Sequence, residues 1–243
     1  MRTERKIMYY WNEDNFKGLK EIGEKYSIQN GYEDFSKYCL LKEKGLRKQA
    51  HKAVEDFISL TRSKNIDEQR EIAKELAFLS YYNKEVHQLI PQQLHQFLIT
   101  ILKEWTKKKT GDVTPYRWLG YFCNNLDYYE EAIRICPADE ISLIELVKGK
   151  LNNVDYQTHH LSETMFIGNI ENARASLEYA YNAIKKLKSG TLKDSLCDGY
   201  NYYKKLIDAW EEYIKEKREI SFPKWCKTRG ENFNFGIIVY YNK

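Results

Sequence analysis

The sequence predicts an all-α protein built as a stack of antiparallel helical hairpins. Three observations carry that prediction. Apolar residues recur at three- and four-residue intervals from Phe16 to Ile214, the period of one helix face. Only four prolines interrupt the 243 residues, so long runs are free of the residue that most strongly ends a helix. Capping and stop residues fall at the ends of most of these runs.

Composition sets the outer bounds. Hydrophobic residues make up 42% and charged residues 30%, a globular balance. No apolar run approaches the roughly 20 residues of a membrane helix, and Ile7 to Trp11 is too short for a signal-peptide core. The cysteines number five, widely spaced and without a C-x-x-C pair, which yields neither a disulfide framework nor a zinc knuckle. These features point to a cytoplasmic protein. The chain is read as one α-helical domain, 1–243, with hairpins at 31–110, an acidic middle at 111–188 and a C-terminal part at 189–243.

The elements follow in order. Phe16, Leu19, Ile22 and Tyr26 open the first helix, and Asn30-Gly31 stops it. A second runs from Tyr32 to Lys44 and ends at Gly45; a third carries Leu46, Ala50, Val54, Phe57 and Ile58 on one face. A fourth, 67–81, turns Ile72, Leu76 and Leu79 inward. Pro91 is placed at the first helical position of a fifth, where its missing N–H costs nothing, and Leu94 to Trp105 form the widest apolar stripe in the chain. Thr114-Pro115 reads as a cap followed by a first-turn proline. Asp127 with Glu130 reads as a capping box, and Pro137 as the stop of that short helix. The next helix turns Ile141, Ile144, Val147 and Leu151 inward, before an irregular connector from Asp155 to Asn169. Asn169 caps a long helix ended by Ser189-Gly190, another reaches about Arg218, and Ser221-Phe222-Pro223 starts a short one. The tail alternates Phe233, Phe235, Ile237, Val239 and Tyr241, a strand pattern, and a lone strand needs a partner. Ile7 to Trp11 is the candidate, so the two termini are expected to pair.

Within the middle, Trp118-Leu119-Gly120, then Tyr129-Glu130-Glu131-Ala132-Ile133, then Cys136-Pro137-Ala138-Asp139-Glu140 resembles a tetratricopeptide repeat (TPR). Residues 31–62 resemble a fainter copy through Leu41, Gly45, Ala50 and Phe57. The segment from Ala132 to Pro137 is short for a second repeat helix, and no 34-residue period runs through the chain. The resemblance therefore implies a TPR-like hairpin stack over about a third of the chain rather than a regular array. The connector at Asp155–Asn169 is similar to a segment of uncharacterised bacterial proteins, and no function comes with that likeness.

Charge is divided along the chain. Residues 1–110 carry 21 Lys and Arg against 16 Asp and Glu, residues 111–183 carry 5 against 11, and residues 184–243 carry 13 against 8. An acidic middle with Tyr116, Tyr121, Tyr128, Tyr129 and Tyr156 beside Glu130, Glu131 and Glu145 suits a basic protein partner, since aromatic anchors with complementary charge recur at interfaces. The expected function is a non-enzymatic protein-binding scaffold, with an immunity or antitoxin-type inhibitor of a basic toxin, or a TPR-like adaptor, as its finer forms. Nucleic-acid binding by the basic flanks is the alternative, opposed by the carboxylates interleaved there. A third reading is a metal-dependent enzyme at His159, His160 and Glu163, because imidazole and carboxylate at i and i+4 suit zinc. Only His159 and Glu163 share a face in that spacing, no third ligand joins them, and the order matches no established motif. No phosphate loop or nucleophile elbow is present, and no cofactor is implied.

Overall fold

Each predicted helix forms, and its ends lie where local chemistry stops it. A computed structural model of the protein describes residues 13–108, 111–216 and 219–235. These residues are 76% helical and hold no strand. The chain divides into two compact units at Asn125 and Leu126.

The first unit contains α1 (Glu13–Tyr26), α2 (Glu33–Glu43), α3 (Arg47–Ser63), α4 (Ile66–Tyr82), α5 (Gln92–Thr106) and α6 (Thr114–Cys123). Successive helices pack as pairs, α1 on α2, α2 on α3, and α4 on α5 and α6. The turn between α2 and α3 needs Gly45 at φ +73°, a conformation that costs a side chain energy. Asn65 caps α4 with a full capping box through Glu68. Apolar burial drives the packing: Leu19, Phe35, Phe57, Leu76, Leu98 and Leu119 are fully buried. Two half-buried polar contacts fasten the connection between α4 and α5. Asn15 Oδ1 accepts the Gln88 N–H at 3.1 Å, and the Tyr38 hydroxyl donates to the Gln88 carbonyl at 2.5 Å.

The second unit contains α7 (Leu126–Ile135), α8 (Glu140–Thr158), a single 3-10 turn at Leu161–Glu163, α9 (Ile170–Lys186), α10 (Thr191–Glu216) and α11 (Phe222–Thr228). Helix α8 packs on α7, α9 and α10. Val147, Leu151, Val154, Ala173, Leu177 and Ile207 form the centre of their shared core. A second cluster gathers Trp210, Tyr213, Phe222 and Trp225. Phe233 and Phe235 both pack against it, with the Phe235 N–H bonded to the Phe233 carbonyl at 3.1 Å in a tight turn. Of the alternating residues only Phe233 and Phe235 are described, and they form a turn rather than a strand. The expected pairing of the termini concerns Ile7–Trp11 and positions beyond Phe235, which lie outside the described residues.

Several boundaries differ from the sequence reading. Pro91 is the N-cap of α5, not its first helical residue. Val113 caps α6, so Thr114 is already helical, and its N–H is taken by Asp112 Oδ1 at 2.9 Å. Asn124, left-handed at φ 47°, ends α6 early enough for α7 to begin at Leu126. Asp127 therefore sits inside the first turn, and Glu130 is drawn to Lys150 instead of closing a capping box. The largest difference is the connector: α8 continues to Thr158 because Val154, Gln157 and Thr158 keep its buried face going with partly polar side chains. Hydropathy alone loses such a face.

No helix of the described residues is long and apolar enough to cross a membrane. All five cysteines are free; Cys39 and Cys226 are buried, Cys123 is exposed, and Cys136 and Cys197 are half-buried.

Candidate functional site

Lys150, Asn153 and Gln157 recur at i, i+3 and i+7 on α8, so they share one face. Asn169, Asn172, Ser176 and Tyr179 repeat that spacing on the facing side of α9. Together they line a groove of about 520 Å³, with Tyr156 at its edge and Ile167 and Gly168 closing one end.

Polar residues outnumber apolar ones in its lining, although most of the surface they expose there is carbon. Asn153 Nδ2 donates to Ser176 Oγ at 3.3 Å, and Gln157 Nε2 donates to the Asn153 carbonyl and to Asn153 Oδ1, both at 3.3 Å. Gln157 is 6% exposed, yet its Oε1 has no hydrogen-bond partner among the described residues. A buried acceptor left in that state costs free energy until something donates to it. Asn169 is held as the cap of α9 by the Asn172 N–H. At the other end Lys150 lies 4.5 Å from the centre of the Tyr179 ring and 2.9 Å from Glu130. Burial, then the charge of Glu130, raises the Tyr179 hydroxyl above its ordinary pKa, so it stays a donor. Tyr156 is 63% exposed.

The spacing has a chemical consequence. Residues four apart on a helix are separated by about 6 Å of rise. An extended peptide repeats its outward N–H and C=O every two residues, about 6.6 Å. Asn153 with Gln157 on one wall, and Asn172 with Ser176 on the other, are therefore spaced like the rungs of an extended main chain. Asn172 offers both a donor and an acceptor, whereas Asn153 and Gln157 already bond to neighbours, and Gln157 Oε1 is the acceptor left open between them.

The residues singled out from sequence fall in several places. Tyr116 and Tyr121 belong to the first unit, on α6. Tyr121 bonds Ser80 through its hydroxyl, at 3.1 Å to Oγ, and meets the Tyr81 ring edge-on at 5.4 Å. Tyr128, Tyr129, Glu130 and Glu131 are on α7 in the second unit, where Tyr129 is buried. Glu131 takes a forked contact from Arg134, whose hydrogen bond holds its carboxyl below the usual range. Glu145 bonds Lys148 at 2.9 Å. Of the set only Tyr156 lines the groove, and Glu130 reaches it through Lys150. The amide rungs themselves were missed. Their i, i+3, i+7 spacing was present in the sequence, but a polar stripe carries no hydropathy signal.

His159 and His160 sit where α8 ends. His159 Nδ1 lies 2.5 Å from the Tyr156 carbonyl, His160 Nδ1 lies 2.9 Å from Glu163 Oε1, and the two rings are 4.2 Å apart. Among the described residues no group of three or more His, Cys, Asp or Glu is arranged to hold a metal ion.

The fold and groove define an all-α protein of paired helices with a polar, aromatic-edged cleft. No protein-family model, curated protein or solved structure matches the chain.

Proposed function

We propose that this chain is a non-enzymatic helical scaffold whose α8–α9 groove binds an extended segment of another protein. The match between the amide rungs and the repeat of an extended main chain carries this reading. Tyr156 and Tyr179 at the edges suit the partner's side chains, since aromatic side chains are common interface anchors. Pairing of successive helices supports a TPR-like form of such a scaffold. The acidic surplus of residues 111–183 supports an immunity or antitoxin-type inhibitor of a basic toxin as its finer form. Local pairing of Glu130, Glu131 and Glu145 with Lys150, Arg134 and Lys148 softens that field, so affinity rests on the amides more than on charge.

Selection from a displayed library of linear peptides tests the proposal. The native chain should enrich one extended motif. A variant carrying Asn153→Ala, Asn172→Ala and Tyr156→Ala should bind that motif at least about tenfold more weakly. Its melting temperature should fall only slightly, because all three side chains are exposed and the one loss to buried groups is the Asn153 bonds to Ser176 and Gln157. Failure to enrich any motif, or binding untouched by the triple change, sinks the reading.

A further inference from the structure

The α2–α3 hairpin of the first unit borders a second cavity, of about 380 Å³. Its floor is apolar, formed by Ala50 and Val54 of α3 with Pro91 and the Tyr38 ring. Its rim carries Lys42 from the end of α2 and Arg47, Lys48 and His51 from the start of α3. The first three lack an ion pair among the described residues. Some lysines elsewhere in this unit find carboxylates three or four residues away, as in Lys17–Glu21, Lys20–Glu24, Lys52–Asp56 and Lys74–Glu71. Lys25, Lys37, Lys44 and Lys103 do not, so it is the gathering of three cations at one cavity that sets the rim apart. His51 alone on the rim has one, Glu55 at 3.4 Å. Three like charges gathered on one rim without a counter-charge repel one another, and an anion seated among them removes that cost. The start of α3 adds to the field: its cap is Leu46, which offers no side-chain acceptor, and its first turn has no acidic residue.

We infer that this cavity is a site for a small phosphate-bearing ligand. Arg47 supplies the planar fork that grips two phosphoryl oxygens, and Lys42 and Lys48 supply point charges beside it. Ala50, Val54 and Pro91 receive the apolar body of the ligand. The volume falls within the range of small-molecule sites, about 300–1,000 Å³. A nucleic-acid strand fits less well, because Glu43, Glu55 and Asp56 flank the rim in sequence and break a continuous phosphate track. The site lies in the other unit from the α8–α9 groove and does not depend on it.

Calorimetric titration of the full chain with ADP and with pyrophosphate tests the inference. ADP should bind one-to-one, and more tightly than pyrophosphate, because only ADP has a body for the apolar floor. Arg47→Ala with Lys48→Ala should weaken ADP at least tenfold. Lys17→Ala with Lys20→Ala removes the same charge from α1 and should leave binding unchanged. Amide NMR shifts on adding ADP should be confined to residues 38–54 and 91–93. The inference is overturned if neither probe binds more tightly than about 1 mM, or if both double variants weaken it equally. It is also overturned if a single-stranded RNA binds through Arg47 and Lys48 while ADP does not.

Discussion

Glu75 accepts a hydrogen bond from each of two tyrosines, Tyr26 at 2.8 Å and Tyr32 at 2.9 Å, tying α1 and the start of α2 to α4. Glu75→Ala leaves both half-buried hydroxyls without this acceptor. It should lower stability by about 2–3 kcal/mol in urea denaturation; a change within error would show the contacts idle. Burial, followed by the bond to Glu75, raises both tyrosines above their ordinary pKa. A group raised in the folded state stabilises the fold below its unfolded pKa, and that help is lost as pH climbs through the folded value. Stability should therefore fall from about pH 10 upward. A share of the tyrosinate absorbance should appear only on unfolding; full titration of the folded protein near pH 10 would contradict this. Gly18 is the other residue whose chemistry is tightly constrained. A Cβ there would lie 2.2 Å from a methyl of Val86, which is stiff and 3% exposed. Gly18→Ala is expected to destabilise by about 1–3 kcal/mol, outweighing the gain in helix propensity.

At the scale of elements, α9 and α10 are clamped by one arginine. Arg174 bonds Asp208 through Nη2 and Glu211 through Nε at 3.2 Å, and Lys204 bonds the second oxygen of Asp208 at 2.9 Å. Burial pushes the Asp208 carboxyl up, but the bonds from Lys204 and Arg174 outweigh it and hold the pKa below the carboxylate range. A depressed carboxylate stabilises the fold above its unfolded pKa, and the contribution disappears as pH falls below about 4. Asp208→Asn should cost under about 1 kcal/mol at neutral pH, since Asp208 is 38% exposed and solvent screens the pair. It should also flatten the acid limb of a stability–pH curve below about pH 4; an unaltered limb would count against the clamp. The helices were legible because each buries an apolar stripe, as in Leu94, Leu98, Ile101 and Leu102. The C-terminal half of α8 was not, since Gln157 and Thr158 occupy its buried face. The site was less legible still: Glu130 meets Lys150 twenty residues away, and no local spacing announces that pair.

For the whole molecule, the unit boundary cuts through the TPR-like signature. Trp118 belongs to an aromatic cluster with Phe78, Tyr81 and Tyr121 in the first unit. Tyr129 and Ala132 are the buried residues of α7 in the second unit. The signature therefore runs across the boundary between the two units. Each unit has its own set of fully buried apolar side chains, the requirement for a part of a chain to fold alone. Fragments 1–125 and 126–243 should each show a helical circular dichroism spectrum and cooperative melting. A fragment that stays unfolded would show that its core is insufficient.

The graded burial of the five thiols makes the protein a ready substrate for site-selective labelling. Burial raises Cys39 far above its ordinary pKa and Cys226 to about 11, so neither supplies thiolate at neutral pH. Cys123 closes α6 in the open, next to the left-handed Asn124. A maleimide dye added in equal amount should therefore attach chiefly there, placing a fluorophore at the last helix of the first unit without engineering a cysteine.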